Sequence, residues 1–151
     1  MKYLIIIAIF FLSFSSNSIP IPKGNKATFD VIRKNKVIGT IETIFTKKDE
    51  LLIINTNVDI DVKIFFFPAY KFTQTTKETW LKDEFIEVEG HTNFEDEREY
   101  FITGKDTENN FIANGMDGEL ILDKNILPSN YLNKEILKQK KMFDTQKGIV
   151  R

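Results

Sequence analysis

A stretch in the first half of the chain alternates apolar and polar side chains without interruption. In residues 54–64 the even positions carry Ile, Thr or Val, and the odd positions carry Asn, Asp or Lys. Successive side chains of a β-strand point to opposite faces of the sheet, so this pattern predicts a strand with one dry and one wet face. Such alternation is typical of an antiparallel sheet that buries one face.

The same two-residue period recurs on both sides of this strand, and polar turns separate the runs. The predicted strands are, in chain order, TFDVIR, VIGTIETIF, the strand above, YKFTQTTKETW, FIEVEGHTNF, YFIT, FIAN and ELIL. Asn35 suits a tight first hairpin, and Gly39 suggests a bulge or a close backbone approach. We therefore predict a mainly β fold, a curved antiparallel meander or partial barrel of about eight strands.

One short helix is predicted near the C-terminus. Asn133 is a favourable N-cap, and the stretch KEILKQKKM after it directs Ile136 and Leu137, with Met142 as a further candidate, toward the sheet. A helix this short needs packing to be stable. The final residues, Ile149-Val150-Arg151, are expected to open a strand whose continuation is missing, which would leave an exposed sheet edge.

The N-terminus has the order of a secretory signal peptide. Lys2 precedes the apolar run LIIIAIFFL, and the small polar residues SFSSNS follow it. The run is shorter than the roughly 20 residues of a membrane span. Cleavage is expected after Ser18, with Ser15 as the alternative and an uncleaved anchor as a further one. The localisation that follows is periplasmic or secreted, in a bacterium, with no stable membrane span.

These features divide the chain into three parts. Residues 1–18 are the predicted signal peptide, residues 19–26 are a tether with two prolines, and residues 27–151 are a single β-rich domain, which the missing strand would make truncated at its C-terminus. The chain has no cysteine, so an exported form relies on packing alone and has no thiolate chemistry.

The residue inventory argues against an enzyme and against a cofactor. After the predicted cleavage Ser129 is the sole serine and His91 the sole histidine, and no glycines of a nucleophile elbow surround Ser129. A transition-metal site would require more His or Cys, and the Asn and Asp side chains of residues 55–61 alternate along a strand rather than lining a calcium loop. The formal charge of −1 provides no field for nucleic acid.

Binding is the stronger class of function. The stretch after the central strand places Tyr70, Phe72 and Trp80 on one side together with Gln74. Large aromatics mixed with a few polar groups suit a ligand cavity, and a half-covered sheet face is the structural alternative. His91 is either an exposed strand histidine or a ligand-binding group. The candidate ligand-binding residues are Tyr70, Phe72, Gln74, Trp80, His91 and Tyr131.

Several segments resemble an uncharacterised family of exported bacterial domains, domain of unknown function 6134. They include FDVIRKNKVIGT, DIDVKIFFFPAYKF, ETW, HTNFEDE, LPSNYLN and FDTQKG, within residues 29–148. The resemblance implies an export signal, an antiparallel β domain with one helix, and further strands after the last motif, which this sequence lacks. It implies no reaction.

The leading hypothesis is therefore an exported, non-catalytic domain that binds an apolar or amphipathic small molecule in the cell envelope. The alternative is a periplasmic protein-interaction module that uses an open sheet edge or residues 65–67. An unrecognised enzyme is the third hypothesis.

Overall fold

A computed structural model describes residues 19–64, 67–94 and 98–151, and the side chains of residues 64–68 are not described. Within these ranges eight strands form one antiparallel sheet in which each strand pairs with its neighbours in sequence. The strands are β1 (Lys26–Arg33), β2 (Lys36–Lys48), β3 (Leu51–Ile64), β4 (Phe67–Leu81), β5 (Glu84–Asn93), β6 (Glu99–Asp106), β7 (Asn110–Gly115) and β8 (Gly118–Asp123). The predicted eight-stranded meander is confirmed, and the described sheet is open, with β1 and β8 at its edges.

The first hairpin has the geometry that its sequence predicts. Lys34 and Asn35 both have positive φ, 48° and 61°, which is the backbone of a type I′ turn and matches the twist of the flanking strands. Gly39 shows the predicted close approach, because a Cβ there would overlap the backbone of Asp59 on β3. The ladder between β1 and β2 also shifts its register beside this glycine, between Val31 and Ile32.

Cross-strand register divides the side chains between two faces. Thr76 of β4 lies opposite Thr56 and Gly90, and Gly90 lies opposite Ile102 of β6, so these residues share what we call the inner face. The large buried side chains of the core cluster within the sheet are Phe45, Leu52, Ile54, Trp80, Phe85, Val88, Ile102 and Phe111. The opposite, outer face carries mainly polar side chains.

Residues 126–151 cover part of the inner face, and we call them the cover segment. They contain a 3₁₀ helix (Lys134–Lys138) and the two-stranded sheet of β9 (Phe143–Asp144) and β10 (Ile149–Val150). Phe143 is fully buried, and its backbone N–H donates to Leu127 O at 2.9 Å while its carbonyl accepts from Ser129 N at 2.8 Å. The cover segment therefore attaches to the sheet through its own apolar residues.

The helix prediction needs correction. The helical residues form a five-residue 3₁₀ helix that ends at Lys138 rather than continuing to Met142, and Gln139 after it is extended. No residue of this helix is buried, and Leu137 is 88% exposed. Asn133 does cap it, since its side chain accepts from Glu135 N. The physical reason is that Phe143 and the residues before the helix fill the space against the sheet, so nothing holds a longer helix.

The two ends of the described chain are both attached to the fold. Ile149 and Val150 form a strand, as predicted, and their partner is β9. At the other end Ile19 is 3% exposed within the core cluster, and Ile21 packs against that cluster. The predicted signal peptide, residues 1–18, lies outside the described residues. No helix in the described ranges is long and apolar enough to cross a membrane.

Replacing Gly115 by Ala is expected to destabilise the protein by about 1–3 kcal/mol. Gly115 of β7 lies against Gly148 of the cover segment, whose backbone a methyl group at Gly115 would overlap. Gly90→Ala is the matched control, because an added methyl there has its nearest neighbour at 3.5 Å, an ordinary contact. Urea unfolding measures both variants. Equal losses in the two variants would contradict the close packing of the cover segment on β7.

Candidate functional site

A buried carboxyl group lies between β4 and the cover segment. Glu78 is 4% exposed on the inner face, two residues before the fully buried Trp80. Its Oε2 accepts a hydrogen bond from Trp80 Nε1 at 3.1 Å, and its Oε1 accepts one from Asn130 Nδ2 at 2.8 Å. Both carboxyl oxygens are therefore satisfied without any cation among these partners.

Asn130 reaches Glu78 because of a turn in the cover segment. Its Oδ1 accepts from Leu132 N at 3.0 Å, which is the hydrogen bond of an Asx turn, and this leaves its Nδ2 to donate to Glu78. Pro128, two residues earlier, forms a parallel bridge with Phe143 and fixes the start of the turn. A local side-chain turn thus carries the contact between segments 52 residues apart.

Burial raises the pKa of the Glu78 carboxyl from its ordinary value of 4.5 to about 7, while the hydrogen bonds from Trp80 and Asn130 act in the opposite direction. Desolvation disfavours the charged form of a carboxyl, which explains the sign. Glu78 therefore changes its charge near neutral pH beneath the cover segment. The residue was not among the predicted site residues, although its position on the same side as Trp80 was visible in the sequence.

Three of the predicted ligand-binding residues lie together on the inner face of β4. Tyr70 is 40% exposed, whereas Phe72 is buried and Gln74 is half-buried. Phe72 packs edge-on against Phe94, with ring centroids 5.1 Å apart. Gln74 Nε2 donates to Thr145 O at 3.2 Å, so this side chain lies at the border of the cover segment.

The other three predicted residues lie apart from this group, although Trp80 shares the inner face of β4 with it. Trp80 is fully buried and tilts against Phe85 in the core, at 5.1 Å between ring centroids. Tyr131 projects fully into solvent from the cover segment. His91 lies opposite Thr75 in the β4–β5 ladder, and this register places it on the outer face. The six residues therefore do not converge on one place.

The inner face continues beyond the cover segment as a partly exposed apolar surface. In the ladders Phe29 faces Ile41, Ile41 faces Val58, and Ile60 faces Phe72, so the side chains of β1 to β4 are neighbours. We call this surface the apolar ledge. It consists of Phe29, Val31, Ile41, Val58, Ile60 and Tyr70, and each of these is at least partly exposed.

The ledge adjoins an aromatic cluster that carries two cations. Phe94 contacts Phe72 on one side and Tyr100 on the other. The guanidinium carbon of Arg98 lies 4.7 Å from the centre of the Phe94 ring, and Lys147 Nζ lies 6.0 Å from it. An apolar surface therefore ends at a margin that carries two cationic side chains.

The described residues contain no group of three or more His, Asp or Glu side chains that could hold a metal ion. The aromatic residues Phe65 and Phe66, which the interaction hypothesis invoked, lie outside the described residues. The geometry thus offers a buried titratable contact, an apolar ledge and a polar outer face as the places where function can reside.

Fold and site together define a class of protein: a mainly β domain whose open antiparallel meander is covered on one face by its own C-terminal segment. A family profile described as a domain of unknown function, DUF6134, matches residues 29–151. The chain belongs to this family, as the resemblance of its motifs predicted. Comparisons with curated proteins and with solved structures give no match.

The free energy of unfolding is expected to fall as the pH rises from about 4.5 to about 7. In this window the folded protein keeps a proton on Glu78 that the unfolded chain has released, so the native state binds more protons and loses stability with rising pH. The free energy of unfolding falls by about 3 kcal/mol by pH 7. Below the pKa that Glu78 has in the unfolded chain there is no such loss. Urea unfolding across pH 4 to 8 measures it.

The substitution Glu78→Gln isolates the contribution of Glu78 to the pH dependence of stability. The amide cannot ionise, and its NH₂ group would face the donor of Trp80 or Asn130. The variant should therefore be less stable than the wild type at pH 5, by about 1–3 kcal/mol, and should lose most of this deficit by pH 8. Glu89→Gln, on the outer face, should leave the slope unchanged. If the unfolding free energies of the wild type and Glu78→Gln change in parallel with pH, Glu78 is not the cause of the pH dependence.

Proposed function

We propose that this domain is an exported, non-catalytic binding protein for an amphipathic small molecule in the cell envelope. The observation that carries the proposal is the apolar ledge, an extension of the inner face that the cover segment leaves partly exposed. Phe29 is 58% exposed there although its cross-strand neighbour Ile41 and the next residue in that row, Val58, are half-buried. Large apolar side chains grouped in this way are typical of binding surfaces.

The dimensions of the ledge suit a small molecule. Its three rows of side chains along the strands are about 7 Å apart, and its four strands are about 4.8 Å apart, which gives a surface of about 14 Å in each direction. Burial of apolar ligand surface there contributes about 25 cal/mol per Å². Tyr70 is 40% exposed in the ledge, so its hydroxyl group can form a hydrogen bond with a polar part of the ligand.

The margin of the ledge indicates the chemistry of the polar part. Arg98 and Lys147 approach the ring of Phe94, which contacts Phe72 beside the ledge. A ligand whose apolar body lies on the ledge can direct an anionic group toward Lys147. Export follows from the predicted signal peptide, since Lys2 and the apolar run of residues 4–12 have the charge and length of such signals.

A protein partner is the second candidate, because the described sheet ends at β1 with one edge of that strand unpaired. An added strand from a partner would use this edge through main-chain hydrogen bonds. β1 carries charged side chains at Lys26, Asp30 and Arg33, a composition that discourages edge-to-edge pairing. The small-molecule proposal is therefore the stronger of the two.

Phe29→Asp is expected to weaken binding of the amphipathic anion anilinonaphthalene sulfonate at least tenfold, which is about 1.4 kcal/mol. The substitution places a like charge beside the ligand and removes an exposed part of the ledge. Fluorescence titration measures the affinity, and native mass spectrometry of protein purified from envelope extracts detects a retained ligand. Ile121→Asp is the matched control, since Ile121 is 69% exposed on β8, at the opposite edge of the sheet from Phe29.

Equal probe affinities for Phe29→Asp and Ile121→Asp would exclude the ledge as the site. A protein partner that co-purifies, with no retained small molecule, would favour the interaction hypothesis. Both substitutions are at exposed positions, so matching urea midpoints will show that each variant is folded.

A further inference from the structure

The outer face contains a groove that the apolar ledge does not explain. The ladders place Asn57, Thr75, His91 and Phe101 in one cross-strand row, because each lies opposite the next. The adjacent row contains Asn55, Lys77, Glu89 and Thr103. Between and around these side chains lies a groove of about 420 Å³. Its volume is within the range of small-molecule sites.

An aromatic platform lies at one side of this groove. The ring of Phe101 stacks on the imidazole of His91, with centroids 4.6 Å apart and an angle of 7° between the planes. His91 Nε2 is 2.5 Å from Glu99 Oε1, and this contact orients the imidazole. Phe101 nevertheless remains 68% exposed, so an apolar ring is held in a fixed orientation at the surface. An exposed aromatic ring that is held in place can stack against a ligand.

The ionisable side chains of the groove each have a partner. Lys77 Nζ lies 3.6 Å from Glu89 Oε2, and His91 interacts with Glu99. The amides of Asn55 and Asn57 and the hydroxyls of Thr75 and Thr103 make no side-chain hydrogen bond among the described residues. Amides and hydroxyls both donate and accept, so they match a ligand rich in hydroxyl groups. Paired charges with free neutral groups favour an uncharged ligand over an anion or a cation.

We propose that this outer groove binds a neutral carbohydrate. A sugar ring presents C–H groups on one face, which stack on an aromatic ring, and hydroxyl groups around its rim, which exchange hydrogen bonds with amides and hydroxyls. Phe101 supplies the first kind of contact, and the Asn and Thr side chains of the groove supply the second. The site is on the opposite face of the sheet from the apolar ledge and does not depend on the function proposed for that ledge.

The groove continues toward the edge of the sheet, which favours an oligosaccharide over a single sugar. A second groove of about 440 Å³ shares Glu89 and Thr103 with the first and extends to Ile112 and Asn114 of β7. From β3 to β7 the two grooves cross four strand spacings, or about 19 Å. Several linked sugar rings can lie across the strands over this distance.

The test is titration of the full-length protein with soluble neutral hexasaccharides of glucose and of N-acetylglucosamine, in α- and β-linked forms, by calorimetry. At least one is expected to bind with a Kd below about 1 mM. Phe101→Ala should weaken that binding at least tenfold. Ile121→Ala is the matched control, because Ile121 is 69% exposed on β8 and lies outside both grooves. It should bind as the wild type does.

A second measurement keeps the assignment independent of the choice of variant. In ¹⁵N-correlated spectra the bound sugar should shift the amide signals of His91, Phe101 and Thr103 and leave those of Phe29 and Ile41 unchanged. Phe29→Asp should bind the sugar normally, so failure of the ledge proposal does not affect this result. Absence of binding by every probe, or equal losses for Phe101→Ala and Ile121→Ala, would overturn the proposal.

Discussion

The burial of Phe143 beneath the sheet is the contact on which the rest of the structure depends. An open antiparallel sheet leaves one apolar face in water unless another segment covers it. Phe143 is fully buried within 6.1 Å of Phe111, centroid to centroid, and its backbone joins Leu127 and Ser129 on one side and β10 on the other. This one position therefore connects the parts of the cover segment to each other and to the sheet.

The cover segment lies over only part of the inner face, and the two features of that face differ in whether it lies over them. Where the segment lies over β4, Glu78 loses water and depends on Asn130 for a hydrogen bond. Outside the area that the segment covers, β1 to β4 carry the apolar side chains of the ledge, and Phe29 is exposed. The buried carboxyl and the apolar ledge are therefore a covered and an uncovered part of the same face.

The sequence predicted what depends on neighbours along the chain. A two-residue period and a turn at Asn35 suffice for the meander, since each strand pairs with the next one. A short helix after Asn133 was predicted correctly, but its length and its packing on the sheet were not, because the periodic pattern of its few apolar residues does not show that Phe143 already fills the space. The contact between Glu78 and Asn130 could not be foreseen, because local spacing says nothing about which distant turn lies above a buried carboxyl.

The predicted site residues separate for a related reason. Tyr70, Phe72 and Gln74 were grouped correctly by their period, which is a property of one strand. His91 belongs to the next strand, and its face depends on the register between β4 and β5, which pairs it with Thr75. A shift of one residue would have placed it opposite Gln74 or Thr76, on the inner face. The register therefore decides that this chain has an apolar surface on one face and a polar aromatic groove on the other, with the sheet itself between them.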